Sequence, residues 1–416
     1  MDISQSQKAN PCVTYFSYET LEANGAGLPP GSFPSGAFTM LSVDPSSERA
    51  AYIEQNPPRN YVFQWNLNVQ RELGHSTTAM IAYVGSRAVH NLFQADDVSI
   101  VLPTRTPQGY LWPFPAGSGH ILNPNFNRLP ATLWNSSAIY HAMQVQVSKR
   151  MSHGFQAQGS YTWGKGIDTS SGSTDGDQFL NGISSLFFFD QKIRRGLSDF
   201  NVSQNLTVSY TWDIPGPKSS SGFSAWALNG WEFGGIYQAT GGVPFTPIIG
   251  PDPLGLNNTD PFDYPNRLTG PGCQSLINPG NPDNYIKLNC FVLPTAPASL
   301  AAQCTPFVPG GPPNPPAAGT CANLMGNAGR NILIGPGLSN FDMSLFKNNS
   351  IKRISESFNV QFRLEVFNIF NRANFNPPTA NNTLFDGTGS PVPGAGLITA
   401  TATTSRQIQF ALKVIW

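Results

Sequence analysis

From Arg406 to the end of the chain every second residue is apolar: Ile408, Phe410, Leu412, Val414 and Trp416, with Gln407, Gln409, Ala411 and Lys413 between them. Successive side chains of an extended strand point to opposite faces, so a period of two specifies a strand with one greasy and one wet face and rules out a helix. Only Ile415 breaks the polar set. The same pattern sets Phe358, Val360, Phe362, Leu364 and Val366 against Asn359, Gln361, Arg363 and Glu365. It recurs with Phe63, Trp65, Leu67 and Val69 against Gln64, Asn66, Asn68 and Gln70, and with Leu206, Val208, Tyr210 and Trp212 against Asn205, Thr207, Ser209, Thr211 and Asp213. A face carrying Gln361, Arg363 and Glu365 is too charged for a dry core. Phe155, Ala157, Gly159, Tyr161 and Trp163 put aromatics at both ends of the apolar set and small residues in its middle, the arrangement of two aromatic girdles. With weaker strands at Thr77 to Val84, Met143 to Ser148, Trp231 to Gln238 and Phe341 to Phe346, the total is about nine.

The connections between these strands alternate in length. Gly74 to Ser76, Met151 to Gly154, Pro215 to Asn229 and Ile351 to Ser355 are short; Gly85 to Ser137, Lys165 to Ser203, Ala239 to Asn340 and Ile369 to Thr404 are long. A soluble sandwich has no reason to collect its long loops at one end, whereas an outer-membrane barrel has short periplasmic turns and long extracellular loops by construction. Composition agrees. Charged residues make up 12% of the 416, about half the roughly 25% of an ordinary soluble domain, so something other than water must cover part of the surface. No stretch approaches the roughly 18 apolar residues of a spanning helix; the densest run is Leu186 to Phe189. Any passage through a membrane therefore uses strands. The formal net charge is +0 and Lys and Arg are scattered singly, so nucleic acid is not an expected partner.

The expectation is an all-β chain: an antiparallel transmembrane β-barrel portion of about nine strands, incomplete as a barrel. Residues 1–58 read as an irregular segment or extracellular loop and 59–416 as a single partial-barrel domain. Its longest loop, 239–340, holds Pro309-Gly310-Gly311-Pro312-Pro313-Asn314-Pro315-Pro316 and four of the five cysteines, Cys273, Cys290, Cys304 and Cys321. Either those four form two loop-stapling disulfides, as an oxidising compartment favours, or they remain free, unreactive thiols. With Cys12 included there is no CxxC pair and no His at zinc-ligand spacing.

Chemistry-bearing motifs are sparse. His75, His90, His120, His141 and His153 show no HExxH spacing and read as turn or loop residues; GxSxG and the P-loop pattern are absent, so no catalytic site and no cofactor are expected. Asp168-Thr169-Ser170-Ser171-Gly172-Ser173-Thr174-Asp175-Gly176-Asp177 offers oxygen ligands suited to Ca²⁺ but no EF-hand spacing, and reads as a solvated loop. Gln361, Arg363 and Glu365 share the lumen-facing side of one strand, where Arg363 and Glu365 either contact solute or plug or join a cross-strand ion-pair ladder. Trp163, Trp212, Trp231 and Trp416 lie near strand ends as an interfacial belt, the more economical reading, or as a glycan-stacking platform.

Five stretches resemble the C-terminal barrel of TonB-dependent outer-membrane receptors of the Oar-like type common in Acidobacteria. They are Gln64-Trp65-Asn66-Leu67-Asn68-Val69-Gln70-Arg71-Glu72-Leu73 followed by Ala82-Tyr83-Val84-Gly85-Ser86-Arg87; Ser160-Tyr161-Thr162-Trp163-Gly164-Lys165-Gly166-Ile167-Asp168; Gly241-Gly242-Val243-Pro244-Phe245; Gly329-Arg330-Asn331 with Gly335-Pro336-Gly337 and Phe341-Asp342; and Arg363-Leu364-Glu365-Val366-Phe367-Asn368-Ile369-Phe370-Asn371. The closing Phe410, Leu412, Val414 and Trp416 look like the signal read by the barrel-assembly machinery. The resemblance implies a cell outer-membrane location in a Gram-negative-type bacterium, lipid around the barrel, and uptake of an unidentified nutrient too large for porins. TonB would act only through an N-terminal plug.

A complete receptor of that kind has an export signal, a TonB box, a plug and about 22 strands. The start, Met1-Asp2-Ile3-Ser4-Gln5-Ser6-Gln7, has neither a basic n-region nor an apolar h-region, so the expectation is a gene fragment or a misplaced start codon. The alternative is a secreted all-β glycan-binding or adhesive module, soluble without detergent. Deleting Ala411 to Trp416 separates the two. Barrel assembly, read as a band whose gel mobility changes on boiling, is expected to vanish, whereas a soluble module would merely lose a strand.

Overall fold

Strands with alternating faces keep one face greasy only if every neighbour pairs in matching register, because a slip of one residue exchanges the faces. The computed structural model, which describes residues 12–15, 49–95, 97–121, 129–172, 187–217, 222–256, 263–351, 353–355 and 358–416, shows such pairing throughout. Its long strands are β1 (Tyr61–Gly74), β2 (Thr77–Ala95), β3 (Ala131–Ser152), β4 (Phe155–Asp168), β5 (Gln204–Ile214), β6 (Trp231–Thr240), β7 (Leu338–Ser350), β8 (Asn359–Phe367) and β9 (Gln407–Ile415). Each pairs antiparallel with the next. With Cys12–Tyr15, Arg49–Ile53 and Gly196–Leu197 they make a 12-stranded sheet. β1 and β9 lie at its two edges and are not paired with each other. Inside the segment expected to be irregular, Cys12–Tyr15 pairs with Arg49–Ile53, which adds in parallel to the start of β3.

Register carries the apolar set from strand to strand. Leu67 faces Tyr83, Tyr83 faces Met143 and Met143 faces Trp163. Further along, Trp212 faces Phe233, Phe233 faces Leu345, Leu345 faces Leu364 and Leu364 faces Phe410. Large side chains on this face stay uncovered, Leu67 at 69% and Leu412 at 70% exposure. So broad an apolar surface is what lipid, not water, would cover. Among the described residues no helix is long and apolar enough to cross a membrane.

The connections sort by end. Those on one side span 75–76, 153–154, 215–230 and 351–358, and those on the other span 96–130, 169–203, 241–337 and 368–406. His75 and Ser76 (φ 49° and 59°), like His153 and Gly154 (φ 53° and 75°), are the positive-φ pairs of type I′ hairpin turns, whose twist matches that of the strands they join. The short connection 215–230 holds a seven-residue helix, α2 (Gly222–Leu228); α1 (Gln191–Arg194) lies in a long one.

Two strands run well beyond the alternation that marks them. β2 continues to Ala95 and β3 begins at Ala131, with irregular register between Val89 and Asn91 and between Asn91 and Phe93. A bulge shifts the side-chain alternation by one residue, and beyond it Phe93, Ala95 and Ala131 are fully buried together. A strand buried in this way no longer alternates.

The hydrophobic core lies in the long connections, not between the strands. Ile100, Trp112, Phe187, Phe245, Leu254, Leu256, Ile286, Leu333 and Leu384 form one buried cluster. The 239–340 connection, expected to be a loop, is therefore the main part of a packed cap. Putting a charge into the uncovered face, as in Leu364→Arg, is expected to cost about 2–4 kcal/mol where the side chain meets the middle of the bilayer. Urea titration of the protein in lipid vesicles checks this, with Gln361→Arg on the opposite face changing stability far less.

Candidate functional site

On the polar side of the sheet, Gln156, Gln158, Ser209, Thr211, Glu232 and Ser344 line a cavity of about 520 Å³ at the short-turn end. The lumen-facing trio predicted from the sequence lies on the same side. Arg363 Nε donates to Gln361 Oε1 at 2.6 Å and its guanidinium sits 4.9 Å from the centre of the Phe346 ring. Gln361 Nε2 in turn donates to Asn348 Oδ1 at 2.8 Å. No ion pair joins Arg363 to Glu365 among the described residues. Arg363 is held by an amide and an aromatic face, so the ion-pair ladder is replaced by a polar file that leaves Glu365 toward the lumen.

At the long-loop rim, segments far apart in sequence are fastened together. Asp168 ends β4, and the Asp199 carboxylate follows the short strand Gly196–Leu197. Arg330 arrives from the cap and bridges both, with Nη1 2.6 Å from Asp168 Oδ1 and Nη2 3.2 Å from Asp199 Oδ1. Nη1 also donates to the Arg194 carbonyl and Nη2 to Ser171 Oγ, while Asn331 Nδ2 donates to Asp199 Oδ1 at 2.6 Å. Burial opposes the charge on Arg330, yet the two carboxylates hold its pKa above the ordinary value. Burial raises Asp199, with Arg330 and Asn331 working against the rise. Beside them the buried Arg194 guanidinium lies 3.8 Å from the Phe93 ring centre. Burial, then the charge of Arg330, brings Arg194 down to about 10.

The segments around Val243, Gly335, Phe341 and Asn368 meet at the same rim. Gly335 N donates to the Val243 carbonyl, and the backbones approach so closely that a Cβ on Gly242 would collide with the Gly335 carbonyl. Asp342 Oδ1 accepts from Asn368 N at 2.8 Å, and the Phe341 and Phe370 rings stack with centroids 5.9 Å apart. In the first segment the Trp65 indole occupies the space a Cβ on Gly85 would need. That indole lies near His141, whose Nδ1 is 2.8 Å from Tyr83 Oη. His141 is thus a strand residue of the uncovered face and not a turn histidine, whereas His75 and His153 do occupy turns.

The cap is cross-linked internally. Cys273 bonds to Cys290 and Cys304 to Cys321, each pair 17 residues apart; a link across a loop of that size lowers the entropy of the open chain. Asn323 ties the second link to the neighbouring connection, donating to the carbonyls of Trp112 and Gln303 while Thr305 N donates to its Oδ1. Between cap and rim lies a cleft of about 400 Å³ walled by Pro279, Pro282, Tyr285, Pro336, Arg372 and Phe375. Apolar walls with one cation make it the candidate ligand cleft. Sequence reading missed it because its walls come from four separate segments.

The remaining predicted features fall in other places. Asp168, the first residue of the oxygen-rich loop, spends its carboxylate on Arg330 and on the Ser171 hydroxyl, which takes it away from a cation; Ser173, Thr174, Asp175, Gly176 and Asp177 lie outside the described residues. Phe410, Leu412, Val414 and Trp416 stand exposed along edge strand β9 and its end.

The sequence matches the family model of an outer membrane beta barrel domain over residues 2–409. The chain belongs to this outer-membrane β-barrel family. Its place is accordingly the outer membrane, with the uncovered apolar face toward lipid, the short turns periplasmic and the cap extracellular. Among solved structures, the outer membrane transporter YddB from Escherichia coli is similar at 9% identity and a TM-score of 0.42, over 90% of this chain and 34% of that one. The chain thus spans about a third of that transporter's length. No curated protein matches the sequence.

One buried group sets an expected pH dependence for the cap. Asp263 is fully buried; its Oδ1 accepts from Tyr264 N at 2.7 Å and Gly326 N at 3.3 Å, while Oδ2 has no hydrogen-bond partner. Burial raises its pKa well above the ordinary value, against those two backbone donors. A carboxyl raised on folding contributes stability that is complete below the unfolded pKa of about 3.9 and is lost as pH rises through the folded value. Protease resistance of the cap is therefore expected to fall from pH 4 to pH 8 in the native protein, and to fall less in Asp263→Asn, which is the more resistant form at pH 8.

Proposed function

We propose that the chain is the barrel portion of a TonB-dependent transporter of the Oar-like type, taking up a nutrient too large for porins. The observation that carries this reading is the division of the sheet into a lipid-covered outer face and a polar inner face beneath a packed extracellular cap. A structural barrel needs no such cap. A passage for a bulky solute does, because recognition must precede entry. The stretches that resemble this receptor family support the finer assignment, since four of the five, around Asp168, Val243, Arg330 with Phe341, and Asn368, meet at one rim. On this reading solute binds first at the cleft beside Arg372 and Phe375 and then passes toward the Gln- and Ser-lined interior.

Energy would come from TonB through an N-terminal plug of the intact transporter; the described residues form the sheet and its cap. Barrel assembly would proceed through the terminal signal ending at Trp416. No step of bond chemistry is assigned to the chain.

The test is a whole-cell assay with the chain exported behind a secretion signal in a strain lacking other large-solute receptors. The probes are fluorescent linear oligosaccharides and peptides too large for porins. One class is expected to bind, and Arg372→Ala is expected to weaken it about tenfold, the equivalent of one charged contact. Accumulation inside the cell, compared with and without TonB, reads energy coupling separately from binding. A TonB-dependent rise would show that the chain couples energy by itself; absence of any surface binding would remove the transport reading.

A further inference from the structure

The periplasmic connection between β5 and β6 differs from the other short turns in carrying a helix of large apolar residues. In α2, Phe223 is 78%, Trp226 57% and Leu228 51% exposed, and the helix has no acidic residue in its first turn and no basic one in its last. The Phe223 and Trp226 rings pack at 5.4 Å between centroids. A water-filled turn gains nothing from three such side chains.

Position tells which way they face. Trp231, the first residue of β6, belongs to the outward apolar file: it faces Ile214 on one side and Lys347 on the other, two positions before Phe233. Its indole Nε1 donates to the Ala227 carbonyl at 2.8 Å, so the end of α2 is tied to an outward-facing side chain. Lys347 also lies in the outward file, facing Phe362 and two positions beyond Leu345, yet it is only 7% exposed. Its Nζ stands 5.7 Å from the Trp226 ring centre and 5.9 Å from that of Trp231, and donates to Asn349 Oδ1 at 2.7 Å. The helix is thus folded outward against the lipid side of the barrel and not inward beneath the lumen.

We propose that α2 is a membrane anchor: it lies in the headgroup and upper acyl region of the periplasmic leaflet, with Phe223, Trp226 and Leu228 inserted into phospholipid. The inference rests on the outward face of the sheet being the lipid-covered one, with which the exposed residues of α2 are continuous. Lys347, its ammonium held by Asn349 and set beside the Trp226 and Trp231 rings, fixes α2 against the outward file. Aromatic residues at that depth have one apolar side and one wet side, the environment that Trp prefers.

Fluorescence quenching in phospholipid vesicles tests this on the full chain. Subtracting the signal of Trp226→Phe from that of the native protein isolates Trp226 among the eight tryptophans. Its emission is expected to be quenched by lipid brominated near the top of the acyl chains, and to be at least about threefold less sensitive to aqueous acrylamide than a free indole, as for an interfacial helix. Strong acrylamide quenching, or quenching by neither agent as for a residue covered by protein, overturns the proposal. A native chain that keeps its heat-modifiable band in the same vesicles would then leave the barrel standing while the anchor falls; loss of that band would remove both. Independently, Phe223→Glu combined with Trp226→Glu is expected to lower the inserted fraction several-fold, whereas Phe223→Leu with Trp226→Phe inserts normally. Equal insertion of the Glu pair would also overturn it.

Discussion

Cross-strand register is the constraint on which the rest of the structure depends. Leu345 faces Leu364 and Leu364 faces Phe410, and the same file continues through β6 and β5 to Trp212. Each of these pairs is a modest interaction. Their alignment is what matters, because one slipped strand would turn charged Arg363 and Glu365 toward lipid and Leu364 toward water. Lipid on one side and water on the other therefore enforce the register more strongly than any pair contact does.

The register leaves the strands without a core of their own, and the molecule places its core outside the membrane. Large side chains from long connections, Trp112, Phe187, Phe245, Ile286 and Leu333 among them, close into one cluster, and two disulfides reinforce it. Arg330 joins this cap to the sheet. A buried cation shared between Asp168 and Asp199 is costly to desolvate and adds little net stability by itself. Its value is positional, since one guanidinium holds β4, the segment after the Gly196–Leu197 strand and the 329–331 turn together. The segments around Asp168, Val243, Arg330 and Asn368 thus fasten the rim, and the Gly335-Pro336-Gly337 turn among them also walls the cleft.

Much of the fold was legible because period-two patterning is a local property. β1, β4, β5, β8 and β9 were marked by side chains that alternate over most of their lengths, and the short turns by what lay between. The upper halves of β2 and β3 were not, since a bulge near Asn91 breaks the alternation and burial of Phe93 and Ala131 removes it. The candidate site was scarcely legible at all. Arg330 and Asn331 stood out as part of a family-like stretch, but nothing in the sequence joined them to Asp168 or Asp199, more than 130 residues away. Pro336 stood in a family-like stretch, but nothing joined it to Tyr285, Arg372 and Phe375, which carried no signal, being single residues on irregular backbone.

The amino-acid sequence by itself determined which face of each strand is apolar, that long and short connections alternate, and that four cysteines share one connection, because each of these depends only on residue order. Tertiary structure alone decided which cysteines pair, that the 239–340 connection packs into a cap with its own core, that Arg363 rests on Phe346, and that α2 turns outward beside Lys347. Those outcomes depend on which distant segments the sheet and its cap bring within a few ångströms of one another, and distance through space is not written in any local pattern.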